Sequence, residues 1–200
     1  MRIKDIWKLC TGESSRDRGY VSTKVDNLEW ICFSPARKLK DLARNLRLER
    51  GWAARFQELT QPDTWLKATI DTAHATGFRI VFAGYGTGAI MARKAWERYG
   101  TPNDRCVLLG SPRPSRKPAP GPARIGIVEC QYGQDWATDF PWWYKPSIFD
   151  DLQWSMSMRF GLVAGFFDHW GYRHWDKRVD WSVIEALSVD SDQKRDHTLP

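Results

Sequence analysis

Four short, continuous apolar runs punctuate the chain: Leu28–Phe33 (LEWICF), Ile80–Ala83 (IVFA), Arg105–Leu109 (RCVLL) and Ile125–Cys130 (IGIVEC). Runs this short, rich in β-branched and aromatic residues, predict strands buried on both faces. Other stretches carry a helical period. Ala36–Glu49 has Leu39, Leu42, Leu46 and Leu48 among basic residues, and Pro62–Thr76 has Trp65, Ile70 and Ala73, with Gly77 as its stop. Ala89–Tyr99 follows the second strand as a third helix. Phe149–Phe167 mixes Trp, Met and Phe at roughly helical spacing, and Val179–Leu187 predicts a last short helix. Pro112–Pro122 carries five prolines and reads as an extended loop. Met1–Tyr20 is polar and expected to be only partly ordered, with one short helix near Ile3–Cys10; Ser188–Pro200 reads as a frayed tail.

The resulting order is strand, helix, helix, strand, helix, strand, loop, strand, helix. It predicts an α/β domain, a mostly parallel sheet with helices on both faces. The expected boundaries are an N-terminal segment 1–27, a domain 28–187 and a flexible tail 188–200. No internal repeat is visible.

Length and charge narrow the picture slightly. Two hundred residues with 42% hydrophobic and 27% charged content suit a soluble globular domain. The net charge of +6 favours acidic partners only weakly, and no nucleic-acid motif accompanies it. The basic stretch Arg37–Arg55 reads as a solvated face, so nucleic acid is not the expected partner. The 12 Trp are the more telling feature, with Trp136, Trp142, Trp143, Trp154, Trp170, Trp175 and Trp181 crowded late in the chain. Such a cluster is either core filling or a surface for a protein partner or self-association. Cys10, Cys32, Cys106 and Cys130 have no metal-ligand spacing and read as free thiols in a reducing compartment. His74, His174 and His197 likewise lack a ligating neighbour, and neither metal nor cofactor is expected. Met1–Ser15 lacks the apolar core of a secretion signal, and no stretch is long enough to span a membrane, so a cytoplasmic or virion-associated protein is expected.

The candidate chemistry lies in G-Y-G-T-G, Gly84 to Gly88, set between a strand and a helix. A strand, a sharp glycine turn and a helix also frame the nucleophile elbow G-x-S-x-G, whose middle serine corresponds to Gly86. A phosphate-binding glycine loop is the rival reading, because a helix N-terminus attracts anions. Against it, no lysine follows Gly88 directly, Ala89 stands where a third glycine would, and Asp104 ends no second strand.

Further segments follow in a familiar order. Phe33 is followed by Ser34, Pro35 and Ala36, and then by D-L-A-R-N-L, Asp41 to Leu46; Gly51 with Trp52 or Phe56 comes next. G-S-P-R stands at Gly110, Ser111, Pro112 and Arg113, Asp135 precedes Pro141, and D-H-W-G-Y includes Asp168, His169, Trp170 and Tyr172. In this order the chain resembles the class 3 (fungal-type) lipase family of α/β hydrolases, from about Leu28 to Tyr172. The resemblance implies an elbow at Gly86, a base at His169, an orienting carboxylate at Asp135, and an oxyanion turn at Ala36 with the backbone N–H of Thr87. It also exposes two losses. Gly86 has no side chain where the nucleophile belongs, and Ala36 stands where the family usually has a serine or threonine.

These residues imply a degenerate member that serves as a binding or structural module. The alternative is an active lipase or esterase that uses Thr87 or a water activated by His169. Thr87 has a simpler role as a helix cap, and Ser111 is a weaker candidate nucleophile still. His169 can also be read as a packed, hydrogen-bonded residue, and Asp135 as an acceptor for loop N–H groups.

Overall fold

The structure is a computed structural model and describes residues 1–36, 47–112, 127–132, 135, 138, 151–155 and 169–179. Its centre is a six-stranded sheet with strands in chain order: β1 (Tyr20–Val25), β2 (Leu28–Phe33), β3 (Arg79–Tyr85), β4 (Arg105–Leu109), β5 (Ile127–Tyr132) and β6 (Asp151–Ser155). β1 pairs antiparallel with β2 across a tight turn, and every later pair is parallel. This is the mostly parallel α/β sheet that the alternating pattern predicts.

Continuous apolar strands are needed because both sheet faces are covered. Successive side chains point to opposite faces. Ile31, Phe33, Ile80, Phe82, Cys106 and Leu108 therefore meet three helices: α3 (Glu49–Leu59), α4 (Leu66–Ala75) and α5 (Thr87–Tyr99). Trp30, Cys32, Val81, Ala83, Val107 and Leu109 face the other way, towards α1 (Ile3–Thr11), Tyr172 and Trp175. Each side chain of this size contributes roughly 1.5–3 kcal/mol when fully buried.

The N-terminus carries the short helix expected near Ile3–Cys10, and the segment around it, expected to be only partly ordered, folds onto the sheet. α1 buries Ile3, Ile6 and Cys10, a sparse stripe on one helical face, and a short helix α2 (Glu13–Arg18) leads into β1. The first N–H groups of a helix have no partner within it. Here the Ile3 N–H donates to the Lys177 carbonyl at 2.9 Å, and the Lys4 N–H to that of Trp175 at 3.0 Å. The two ends of the described chain, Ile3–Lys4 and Trp175–Lys177, are thereby joined over one sheet face.

Other expectations shift. α3 covers Glu49–Leu59, where the pattern predicts helix only as far as Glu49; Trp52, Arg55, Phe56 and Leu59 form its buried stripe. Arg55 is only 4% exposed, so this part of the basic stretch is not a solvated face. The aromatic stretch Phe149–Phe167 contains strand β6 rather than helix at Asp151–Ser155. The rest of that stretch, most of the predicted helix Ala36–Glu49 with D-L-A-R-N-L, most of the proline-rich loop, Arg113, Pro141, Asp168, Val179–Leu187 beyond its first residue, and the tail lie outside the described residues. So do Trp136, Trp142, Trp143 and Trp181. Among the described residues no helix is long and apolar enough to cross a membrane.

Candidate active site

The candidate residues meet at the carboxyl ends of the parallel strands, where open α/β sheets place their ligands. β3 ends at Tyr85 and α5 begins at Thr87, so one residue, Gly86, makes the whole turn. Its backbone sits at φ +56° and ψ −126°, a conformation that L side chains rarely adopt. The Gly86 N–H donates to the Leu109 carbonyl at 2.9 Å, tying the turn to the end of β4. Gly88 is required for a different reason. A Cβ there would lie 2.4 Å from the Phe33 carbonyl oxygen and 2.7 Å from that of Ser34, so the first turn of α5 rests directly on the β2 backbone.

His169 lies beside this turn. A Cβ built on Gly86 would stand 3.5 Å from His169 Nε2 and 3.6 Å from Cε1, ordinary contact distances. On its other side, His169 Nδ1 is 2.9 Å and 3.0 Å from the two carboxylate oxygens of Asp135. A carboxylate accepts, so Nδ1 is the donor of this pair, and Nε2 is the ring nitrogen that faces Gly86. Asp135 is fully buried, while about a fifth of the His169 side chain remains exposed.

Three residues that the motifs left without a role hold this pair. The Tyr172 hydroxyl donates to Asp135 Oδ2 at 2.9 Å and accepts the Tyr132 N–H at 3.0 Å. Burial, with the Asp135 charge adding to it, pushes the Tyr172 phenol well above its usual 10, so it stays protonated and donating. Tyr85, the variable residue of the glycine motif, stacks on the His169 ring at 4.8 Å, and its hydroxyl donates to the His169 carbonyl at 2.5 Å. Gly110, the first residue of G-S-P-R, leaves room for the carboxylate, since a Cβ there would lie 2.5 Å from Asp135 Oδ2. Ser111 is buried, and its hydroxyl donates to the Pro112 carbonyl at 3.1 Å. The sequence signals were thin: a tyrosine between glycines, and a tyrosine three residues past the histidine.

Thr87 departs from the cap expected of it. Its hydroxyl bonds to groups outside its own helix. The Thr87 Oγ1 accepts the Ala36 N–H at 2.8 Å and Arg55 Nη1 at 3.2 Å, while Arg55 Nη2 donates to the Ser34 carbonyl at 2.8 Å. Tertiary donors outcompete the local ones because the turn after β2 passes directly over the start of α5.

Away from the elbow, a groove of about 620 Å³ runs along the β1 edge, lined by Ser14, Asp17, Arg18, Tyr20, Trp65 and Thr69 among others. Trp65 is 71% exposed, whereas Trp175 of the late cluster is buried and Trp170 is 42% exposed. Among the described residues no cluster of His, Cys, Asp and Glu is suited to a metal ion.

No family model and no curated protein matches the sequence. Among solved structures, the chain is similar to a fungal lipase in an inhibitor complex, at 14% identity and a TM-score of 0.47, over 61% of this chain and 55% of that one. It is also similar to the triacylglyceride lipase of Rhizomucor miehei, at 10% identity and a TM-score of 0.48, over 69% of this chain and 62% of that one. The chain thus spans between 55% and 62% of the length of those two lipase chains.

Proposed function

We propose that this chain is a lipase-like hydrolase scaffold that has lost its nucleophile and serves as a binding or structural module. The observation that carries the reading is the place of His169 Nε2, 3.5 Å from where a Cβ on Gly86 would stand, with Nδ1 held by Asp135. A serine at 86 would bring its oxygen to within about 3 Å of Nε2, hydrogen-bond distance. Its Oγ would attack an acyl carbon while Nε2 took the proton, and Asp135 would stabilise the resulting imidazolium. Glycine offers no oxygen for that step, so no acyl-enzyme forms.

A second reading draws on the same space. A water held beside His169 Nε2 could be deprotonated and attack an ester directly, without a covalent intermediate. Turnover of short acyl esters that disappears in His169→Ala would establish this and remove the non-catalytic reading. The inherited-site reading is tested by Gly86→Ser: an organophosphonate should label this variant and not the natural chain. A folded Gly86→Ser chain that stays unlabelled, with the hydroxyl at 87 present or removed, would show that Asp135 and His169 are misassigned.

A further inference from the structure

We infer that Thr87 is a built-in stopper of the oxyanion site, so that more than the missing serine at Gly86 separates this chain from a working elbow. The inference rests on the reading of Gly86 as a vacated nucleophile position. At an elbow the developing oxyanion takes one N–H from the residue after the nucleophile and one from the loop that follows a neighbouring strand. Here those residues are Thr87 and Ala36. The Ala36 N–H is already committed, donating to Thr87 Oγ1 at 2.8 Å. The same oxygen accepts from Arg55 Nη1 at 3.2 Å.

The side-chain oxygen of Thr87 thus takes up the Ala36 N–H that the oxygen of a tetrahedral intermediate would need, and Arg55 holds it from a second side. It is held there firmly. Arg55 is buried, and its other nitrogen is fixed on the Ser34 carbonyl at 2.8 Å, so one guanidinium ties the turn after β2 to the first residue of α5. An incoming substrate oxygen would have to displace a neutral hydroxyl from a charge-assisted bond and a short backbone bond together. The Thr87 N–H alone would remain as the backbone donor.

The test uses the full chain in four forms: Gly86→Ser alone, and Gly86→Ser combined with Thr87→Ala, Thr87→Gly or Thr87→Ser. A p-nitrophenyl alkylphosphonate supplies the readout. The serine Oγ–P bond forms, the P–O bond to p-nitrophenolate breaks, the serine proton passes to His169 Nε2, and the phosphoryl oxygen needs the same donors as an oxyanion. Removing one such donor typically slows catalysis by about 10²–10³-fold. The Ala36 N–H released by Thr87→Ala or Thr87→Gly should therefore raise the labelling rate by about 10²-fold over Gly86→Ser alone, and Thr87→Ser, which keeps the hydroxyl, should leave it low. Two routes to removal guard against one variant failing to fold, which circular dichroism reports. Equal rates in Gly86→Ser and the hydroxyl-free double variants would overturn the stopper while leaving the inherited site standing. No labelling in any folded form would overturn both.

Discussion

Replacing Gly86 and Gly88 by alanine, one at a time, separates two physical reasons for glycine within a single turn. At Gly86 the added methyl meets nothing closer than His169 Nε2 at 3.5 Å, His169 Cε1 at 3.6 Å and Pro35 Cβ at 3.8 Å. Space is therefore sufficient, and the cost is the backbone at φ +56°. Conformations of this kind cost about 1–3 kcal/mol. For a chain near 200 residues, 1 kcal/mol lowers the melting temperature by about 2–4 °C, so Gly86→Ala should lower it by about 2–12 °C. At Gly88 the methyl would lie 2.4 Å and 2.7 Å from two backbone oxygens, which cannot rotate away. Relief requires α5 to lift from β2 by roughly 1 Å, loosening the packing of Met91 and Ala92; overpacked cores lose about 1–3 kcal/mol and sometimes more. Gly88→Ala should therefore cost more than Gly86→Ala and exceed about 3 kcal/mol. Urea unfolding followed by tryptophan fluorescence measures both. A Gly86→Ala variant as damaged as Gly88→Ala would refute the reasoning, because Gly86 would then be packed in rather than merely bent.

Tyr172→Phe should destabilise by about 1–3 kcal/mol in the same assay, since it strips a donor from buried Asp135 and leaves the Tyr132 N–H without an acceptor; a loss under about 0.5 kcal/mol would show that water replaces the hydroxyl. The exposed Asp176 carboxyl is held below its usual 3.8 by bonds from Lys4 and Arg2. A depressed carboxyl pKa gives stability that is present above 3.8 and lost as pH falls through the lower folded value. Hydrogen exchange at the Ile3 and Lys4 amides should accordingly rise below pH 3.8, and Asp176→Asn should abolish that step. Cys10, Cys32, Cys106 and Cys130 are all buried, and burial raises the Cys10 and Cys130 thiols well above their usual value. An aromatic disulfide reagent at neutral pH should leave all four unreacted until denaturant is added; rapid reaction of any one in the folded chain would contradict their burial.

What could be read from the sequence follows from how each element is stabilised. β2 and β4 match their apolar runs to the residue because both faces are buried and every position is apolar or nearly so. α4 and α5 were visible through their stripes and stops. β1 was not, since an edge strand reading Y-V-S-T-K-V buries only its first residue and looks like a polar linker. α1 matches the short helix expected near Ile3–Cys10, although only a few buried residues among polar ones mark it, because strands supply the rest of that core. In the site, ordered weak motifs pointed to Gly86, Asp135 and His169, and the fold brings these three together. Arg55 and the true bond of Thr87 stayed hidden because their partners are backbone groups of a distant turn, and a backbone N–H or carbonyl leaves no mark on the sequence.

A histidine bonded to an aspartate beside a glycine turn does not by itself require that chemistry be selected. His169 and Asp135 have structural work independent of any substrate. Asp135 takes the bond from Tyr172, which in turn accepts from Tyr132 on β5, and the Tyr85 hydroxyl holds the His169 backbone. These bonds fasten the C-terminal segment to the sheet, and that segment also supplies the carbonyls that complete the first turn of α1. Removing Asp135 would leave the Tyr172 hydroxyl and the His169 ring without their acceptor, a loss of stability whatever the activity. The nucleophile position has no such second role. A side chain there would strain the backbone at φ +56°, so a chain that, as proposed, does not use this position for chemistry would favour glycine. Under the proposed function an asymmetry would follow: the pair that also holds the fold together would be kept, and a residue that only reacts would not. The Thr87 hydroxyl likewise has a structural role, since it ties the turn after β2 to the start of α5 through the Ala36 N–H, the donor that the proposed stopper would withhold from an oxyanion.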